Sequence, residues 1–228
     1  MTKLGNGLGL WFNQGGGGTV IADGAGQSFN GTDQYAYIAD NGALDINQAT
    51  TDFCVGLTIV TGSDITTLQV VGSKYNNLSG TYYFYITGGH IYFSAIAGNT
   101  VTPIDNITLA INTKYFILAR IDITNSKVYF YIDKVLQNSD GSSFIGSFAT
   151  LANTVDLVLG ANDNGASYAN FFNGLLQDCR IYHKDVSSSA NQTSWINGEQ
   201  LGDEKAWWNL PTLTGFGGTS YDLTGVNL

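Results

Sequence analysis

The sequence predicts an all-β fold, two antiparallel sheets packed as a sandwich. Three observations carry that expectation. Strong helix formers are scarce, with only two Glu (Glu199 and Glu204) and seven Lys in 228 residues, whereas Thr, Val, Ile, Tyr and Phe abound. The abundant types suit a pleated, half-buried surface. Turns are made with glycine and asparagine, since 29 Gly stand against 2 Pro. Several segments alternate large apolar and polar side chains with the period of a strand.

The elements follow in order. Residues 1–25 are rich in glycine, with one aromatic pair, Trp11 and Phe12, and read as an arm leading into the first strand. Residues 26–46 hold two short strands about a turn supplied by Asn30, Gly31 and Asp33. Residues 52–60 form a continuous apolar run, as expected of a strand buried on both faces. Strands are predicted at 69–74, 80–87 and 90–95, the last two joined by the Gly88-Gly89 hairpin turn. A further hairpin pairs 114–123 with 127–136. A strand ending at Gly160 is followed by a polar loop, an aromatic step at Phe171 and Phe172, and a strand over 175–183. The best helix candidate is 186–197, starting after Asp185 or within Ser187-Ser188-Ser189. Lys205 to Leu228 reads as a strand-like tail that completes the sandwich or contacts a neighbour.

The segment 157–186, LVLGANDNGASYANFFNGLLQDCRIYHKDV, resembles the closing hairpin of laminin-G-like domains in the concanavalin-A-like lectin/glucanase superfamily. That family has a strand ending in Ile-Gly, a loop, Phe-x-Gly, and a strand ending in Arg-Ile-Tyr. The segment 26–46 is similar to the family's opening Ser-Phe-x-Gly pattern. In the second hairpin Asp133-Lys134 stands where the family usually has Asp-Gly. The resemblance implies a jelly-roll sandwich over residues 26–200, flanked by the arm and the tail at 201–228. It implies recognition of glycans or of protein surfaces. A virion protein of a tailed bacteriophage, with neighbouring subunits as partners and self-assembly open, is one context for such a chain. An extracellular or cell-surface setting is the other.

Charge and cysteines narrow the classes. A net charge of −9 repels phosphate backbones and anionic membranes, so no nucleic-acid partner is expected. No apolar run reaches the roughly 18 residues a membrane helix needs, and no secretory peptide is read in residues 1–18. Cys54 and Cys179 are expected on strands close in space, either as buried free thiols or as one disulfide.

Chemistry is sparse. Retaining glycosidases need two carboxylates about 5 Å apart. Neither Glu lies on a predicted strand, and Asp122 and Asp133 are the nearest thing to a pair. His90 and His183 belong to no triad pattern. The expectation is therefore a protein without enzymatic activity, a degenerate glycosidase being an alternative. Calcium is the cofactor the resemblance implies. In the family's glucanase branch a ligand Asp opens the last strand, where this chain has Gln177 with Asp178 beside it. Asp163, in the loop 162–165, is the second candidate, and an ordinary Asx turn is the competing account.

The most suggestive feature is aromatic. Alternation puts Tyr82, Phe84 and Ile86 on one side of their strand, with Tyr83 and Tyr85 on the other. Ile91 and Phe93 likewise oppose Tyr92, and Val128, Phe130 and Ile132 oppose Tyr129 and Tyr131. The tyrosine sides are ordinary half-exposed surface, or together a platform for sugar rings. On the second account Arg120 adds a polar clamp if it faces the same way, and Tyr75, Asn76, Asn77 and Tyr168 rim the site. The expected function is a lectin-like adhesion module displayed on a virion. The alternative is a purely structural role in a particle.

Overall fold

The computed structural model describes residues 26–76, 80–97, 100–101, 107–138, 141–143, 154–165, 167–199, 201–209 and 220–222. The expected arm at 1–25, Asn77 and most of the tail beyond residue 209 lie outside them.

Among the described residues two large sheets form. The first has the order β1 (Gln27–Asn30), β15 (Asn173–Tyr182), β3 (Asp52–Thr61), β8 (Lys114–Asp122), β9 (Lys127–Ile132), β10 (Val135–Leu136). To it β11 (Ser142–Ser143) adds beside β9, and β16 (Glu204–Asn209) beside β15. The second runs β17 (Ser220–Asp222), β2 (Tyr35–Ile38), β12 (Leu157–Leu159), β4 (Gln69–Tyr75), β5 (Gly80–Thr87), β6 (His90–Ala97), β7 (Thr100–Val101). A small ribbon pairs β13 (Asn162–Asp163) with β14 (Tyr168–Ala169). Pairing in the large sheets is antiparallel except for β17, which runs parallel to β2. The tail strands thus pair within this chain.

The core lies between the sheets. Phe84 and Phe93 of the second sheet meet Phe130 of the first, each at 6.4 Å between ring centroids. Phe53 of β3 lies 5.5 Å from Tyr82 of β5. A second, smaller apolar cluster sits on the other side of the first sheet, built from Cys54, Phe116, Leu118, Tyr182, Val186 and Trp195. Helix α1 (Ser189–Ile196) closes it, with Ser188 as its cap, the hydroxyl accepting the Asn191 N–H at 3.2 Å. Gly56 makes that docking possible, since a Cβ there would stand 2.8 Å from the Trp195 ring. This is why β3 reads as apolar on both faces.

The motif residues of the closing hairpin explain one another. Gly160 adopts φ +82°, and a side chain there would run into the Phe29 ring. Gly174 leaves room for the Phe172 ring and the Val60 carbonyl. Phe29 and Phe172 pack at 6.3 Å. Glycine is required at 160 twice over, by backbone conformation and by the approach of an aromatic ring.

The predicted strand 127–136 is broken in two, because Asp133 and Lys134 both take positive φ, 49° and 70°. This is the tight hairpin turn that favours Asn-Gly or Asp-Gly. Asp133 adds an anchor by accepting the Phe116 N–H at 2.8 Å. Lys134→Gly is expected to raise stability by about 0.5–1 kcal/mol, the left-handed penalty less the extra entropy of an unfolded glycine. Thermal denaturation checks this, and a lowered Tm would contradict the turn geometry.

Cys54 and Cys179 sit on paired strands but on opposite faces of the sheet. Cys179 belongs to the central core and Cys54 to the smaller cluster. Both thiols are free, and burial pushes both above the usual thiol range.

Candidate functional site: a tyrosine ladder on the second sheet

The expected single platform separates into two. Tyr83, Tyr85 and Tyr92 lie on β5 and β6 of the second sheet, whereas Tyr129, Tyr131 and Arg120 lie on β9 and β8 of the first. Each set points away from the core. In a sandwich those directions are opposite, so the two sets occupy opposite surfaces of the domain.

On the first sheet the predicted site residues already have partners. Arg120 lies 2.7 Å from Asp52, 3.3 Å from Asp185 and 3.5 Å from Asp122, with its guanidinium 5.2 Å from the Tyr129 ring centre. A clamp held by three carboxylates is not free to hold a ligand. Tyr131 packs against the smaller apolar cluster under α1. These residues join the strands and the segment before α1 rather than present a binding face.

Asp178 is occupied too. Its carboxylate receives the buried Arg180 at 2.7–3.2 Å and the Trp207 indole N–H at 2.9 Å. Arg180 is stacked between Trp207 at 4.4 Å and Trp195 at 5.2 Å. Burial raises the Asp178 carboxyl, against the opposing pull of Arg180. A site already neutralised by a guanidinium does not fit calcium. Asp163 accepts the Gly165 N–H at 2.7 Å, the ordinary Asx turn. No group of three or more His, Cys, Asp or Glu able to hold a metal occurs among the described residues.

Asp122 and Asp133 lie at opposite ends of the β8–β9 hairpin. Asp122 opposes Lys127 at the turn, while Asp133 is bonded to Phe116, six residues back along β8. At about 3.3 Å per residue the two are on the order of 20 Å apart, whereas retaining or inverting glycosidases need about 5–9.5 Å. They cannot serve one glycosidic bond.

The second sheet presents a coherent surface. The core takes Tyr82, Phe84, Ile86, Ile91 and Phe93, which turns the alternate residues outward. There Tyr75 stacks on Tyr83 at 5.5 Å, Tyr83 on Tyr85 at 4.9 Å, and Tyr85 on Tyr92 at 5.0 Å, with interplanar angles of 14–23°. His90 continues the row 6.4 Å from Tyr92 and is bonded through Nδ1 to the Ile107 carbonyl. The rings are half-buried by one another. That desolvation raises the Tyr83 phenol and pushes Tyr85 up to about 12, with Ser94 close enough to offset part of the rise.

Further along the sheet Tyr35 stacks on Tyr168 at 3.7 Å. Desolvation, then Tyr35, Asp163 and Asp156, raise Tyr168 to about 12. The β13–β14 ribbon reaches this face as well, where the Ser73 hydroxyl lies 3.2 Å from the Asn162 side-chain oxygen. Tyr75, expected at the rim of the site, ends β4 and stands in the row itself. Tyr35 went unread as part of any face. Its signal was the alternation Tyr35-Ala36-Tyr37-Ile38, half-buried at the tyrosines and buried between them.

At one edge of the molecule Gly31, Asp64, Thr67, Leu68, Gln69 and Asn170 line a shallow cleft of about 230 Å³. Its one carboxylate, Asp64, is saturated by the backbone and hydroxyl donors of Thr66 and Thr67.

Among known structures, a putative carbohydrate-binding protein from Bacteroides ovatus superposes with a TM-score of 0.59 at 13% identity, over 85% of this chain and 54% of that one. The CBM40 module of the Ruminococcus gnavus IT-sialidase, bound to α2,3-sialyllactose, gives 0.55 at 14%, over 75% and 95%. A heptameric SAP-like pentraxin from Limulus polyphemus gives 0.53 at 12%, over 75% and 80%. No curated protein matches the sequence. The family model for the concanavalin A-like lectin/glucanases superfamily matches residues 30–190, and with that match over most of its length the chain belongs to this superfamily.

Proposed function

We propose that the outer face of the second sheet is a glycan-recognition surface and that the domain acts by binding, without catalysis. The observation that carries this is the row Tyr75–Tyr83–Tyr85–Tyr92. Stacked phenols offer flat apolar area for sugar C–H groups, with hydroxyls at the rim for hydrogen bonds. The rings hold one another in place, so little side-chain entropy remains to be lost on binding. The carbohydrate-binding proteins among the structural neighbours support the reading.

Tyr85→Ala is expected to weaken binding to any glycan captured on an array by about 1–3 kcal/mol, near the range of anchoring aromatics. Far-UV circular dichroism should stay unchanged, because the neighbouring Phe84 and Phe93 still fill the core. Unaltered affinity in the Tyr85 and Tyr92 variants would defeat the proposal. Display on a virion is the setting we propose, supported by the glycine-rich composition of residues 1–25 alone. Failure to find the chain in purified particles by mass spectrometry would remove it.

A further inference from the structure

We infer that the tyrosine ladder takes uncharged sugars and rejects acidic ones, such as sialylated or uronic oligosaccharides. This rests on the glycan-recognition reading above and narrows its ligand class.

The argument starts from where the cations are. The chain has nine Lys and Arg in all. Arg120 and Arg180 are on the first sheet, held by carboxylates. Lys114 and Lys127 lie on β8 and β9 of that sheet, Lys134 in the turn after β9, and Lys205 on β16. Lys184 follows β15 and pairs with Asp203 at 3.2 Å. Lys74 belongs to the second sheet but is fully buried on the core side, bonded to Asp40, Asp45 and the Val155 carbonyl. Only Lys3 lies outside the described residues. The aromatic face therefore carries no lysine or arginine among the described residues.

What the face carries instead is neutral. Its partly exposed side chains are Tyr75, Tyr83, Tyr85, Thr87, His90 and Tyr92, and the residues buried beneath them on the same side, such as Ser73 and Ser94, are uncharged as well. The charges nearest its other end are negative, since Asp156 and Asp163 act on Tyr168. A sugar carboxylate placed here would lose water without gaining an ion pair, beside a protein of net charge −9. A neutral pyranose needs only what the face supplies, apolar area and hydroxyl-sized hydrogen bonds. This separates the chain from its sialyllactose-bound structural neighbour, with which it shares a fold and 14% identity.

The test is an array of neutral hexose oligosaccharides, each printed beside its sialylated or uronic counterpart, at pH 8. Wild-type protein and the Tyr85→Ala and Tyr92→Ala variants are compared, with circular dichroism confirming that each variant folds. The expected result is capture by neutral members, insensitive to added salt and lost in both variants. Acidic counterparts should bind at least about tenfold more weakly. Tyrosine-dependent capture of acidic members, as strong as their neutral partners or stronger, overturns this inference and leaves the recognition surface standing. Capture indifferent to both substitutions, or none at all, overturns the recognition reading and this inference with it.

Discussion

Arg180→Ala is expected to cost about 3–5 kcal/mol of stability, the range for breaking a buried ion pair from one side. Arg180 is 0% exposed and meets three demands at once. It neutralises Asp178, donates to the Glu199 carbonyl, and fills the space between Trp195 and Trp207. Removing it leaves a carboxylate in an apolar setting and loosens both α1 and β16 from the sheet. Arg180→Lys should recover little, because an ammonium cannot reproduce a planar fork between two indoles. The double substitution Arg180→Met with Asp178→Leu should recover most of the loss, since no unpaired charge remains. Urea denaturation of the three variants measures this. A single-variant loss below about 1 kcal/mol would show that the pair is not desolvated as described.

Gly160→Ala should be nearly as damaging. The left-handed conformation costs an alanine about 1–2 kcal/mol. Its methyl group also meets the Phe29 ring, and overpacking of that kind costs about 1–3 kcal/mol. The sum, about 2–5 kcal/mol, corresponds to a fall in Tm on the order of 10 °C for a domain of this size. A change of under about 2 °C would show that the backbone at 160 is not held at positive φ.

The fold was legible in the sequence because its cues are local. Alternation located β5, β6, β8 and β9, and the continuous run at 52–60 located β3. The closing motif located β15, and its glycines prove to be sterically required. What the sequence could not supply was sheet membership. Alternation says which side of a strand faces the core, and Tyr83 and Tyr129 have the same pattern. It does not say which of two opposed sheets a hairpin joins, so one platform was expected where two surfaces exist. The role of Asp178 escaped for a related reason. Its partner Arg180 lies two residues away on the same strand face, but the indole that completes the cluster comes from Trp207, far along the chain. Tyr35 and Tyr168 meet only through the folding-over of the β13–β14 ribbon.

The position of β3 has a consequence for how the protein is made. β8 covers one edge of β3, and β15 covers the other. Synthesis of β8 ends at residue 122 and β15 begins at residue 173. At about 5–20 residues per second, roughly 3–10 s separate the two on the ribosome. Through that interval β3, which is buried along nearly its whole length in the finished fold, has an unpaired edge, the kind of edge that recruits other chains. The pace of translation across the intervening strands and loops, β9 to β14, therefore governs how long each nascent molecule is exposed to aggregation.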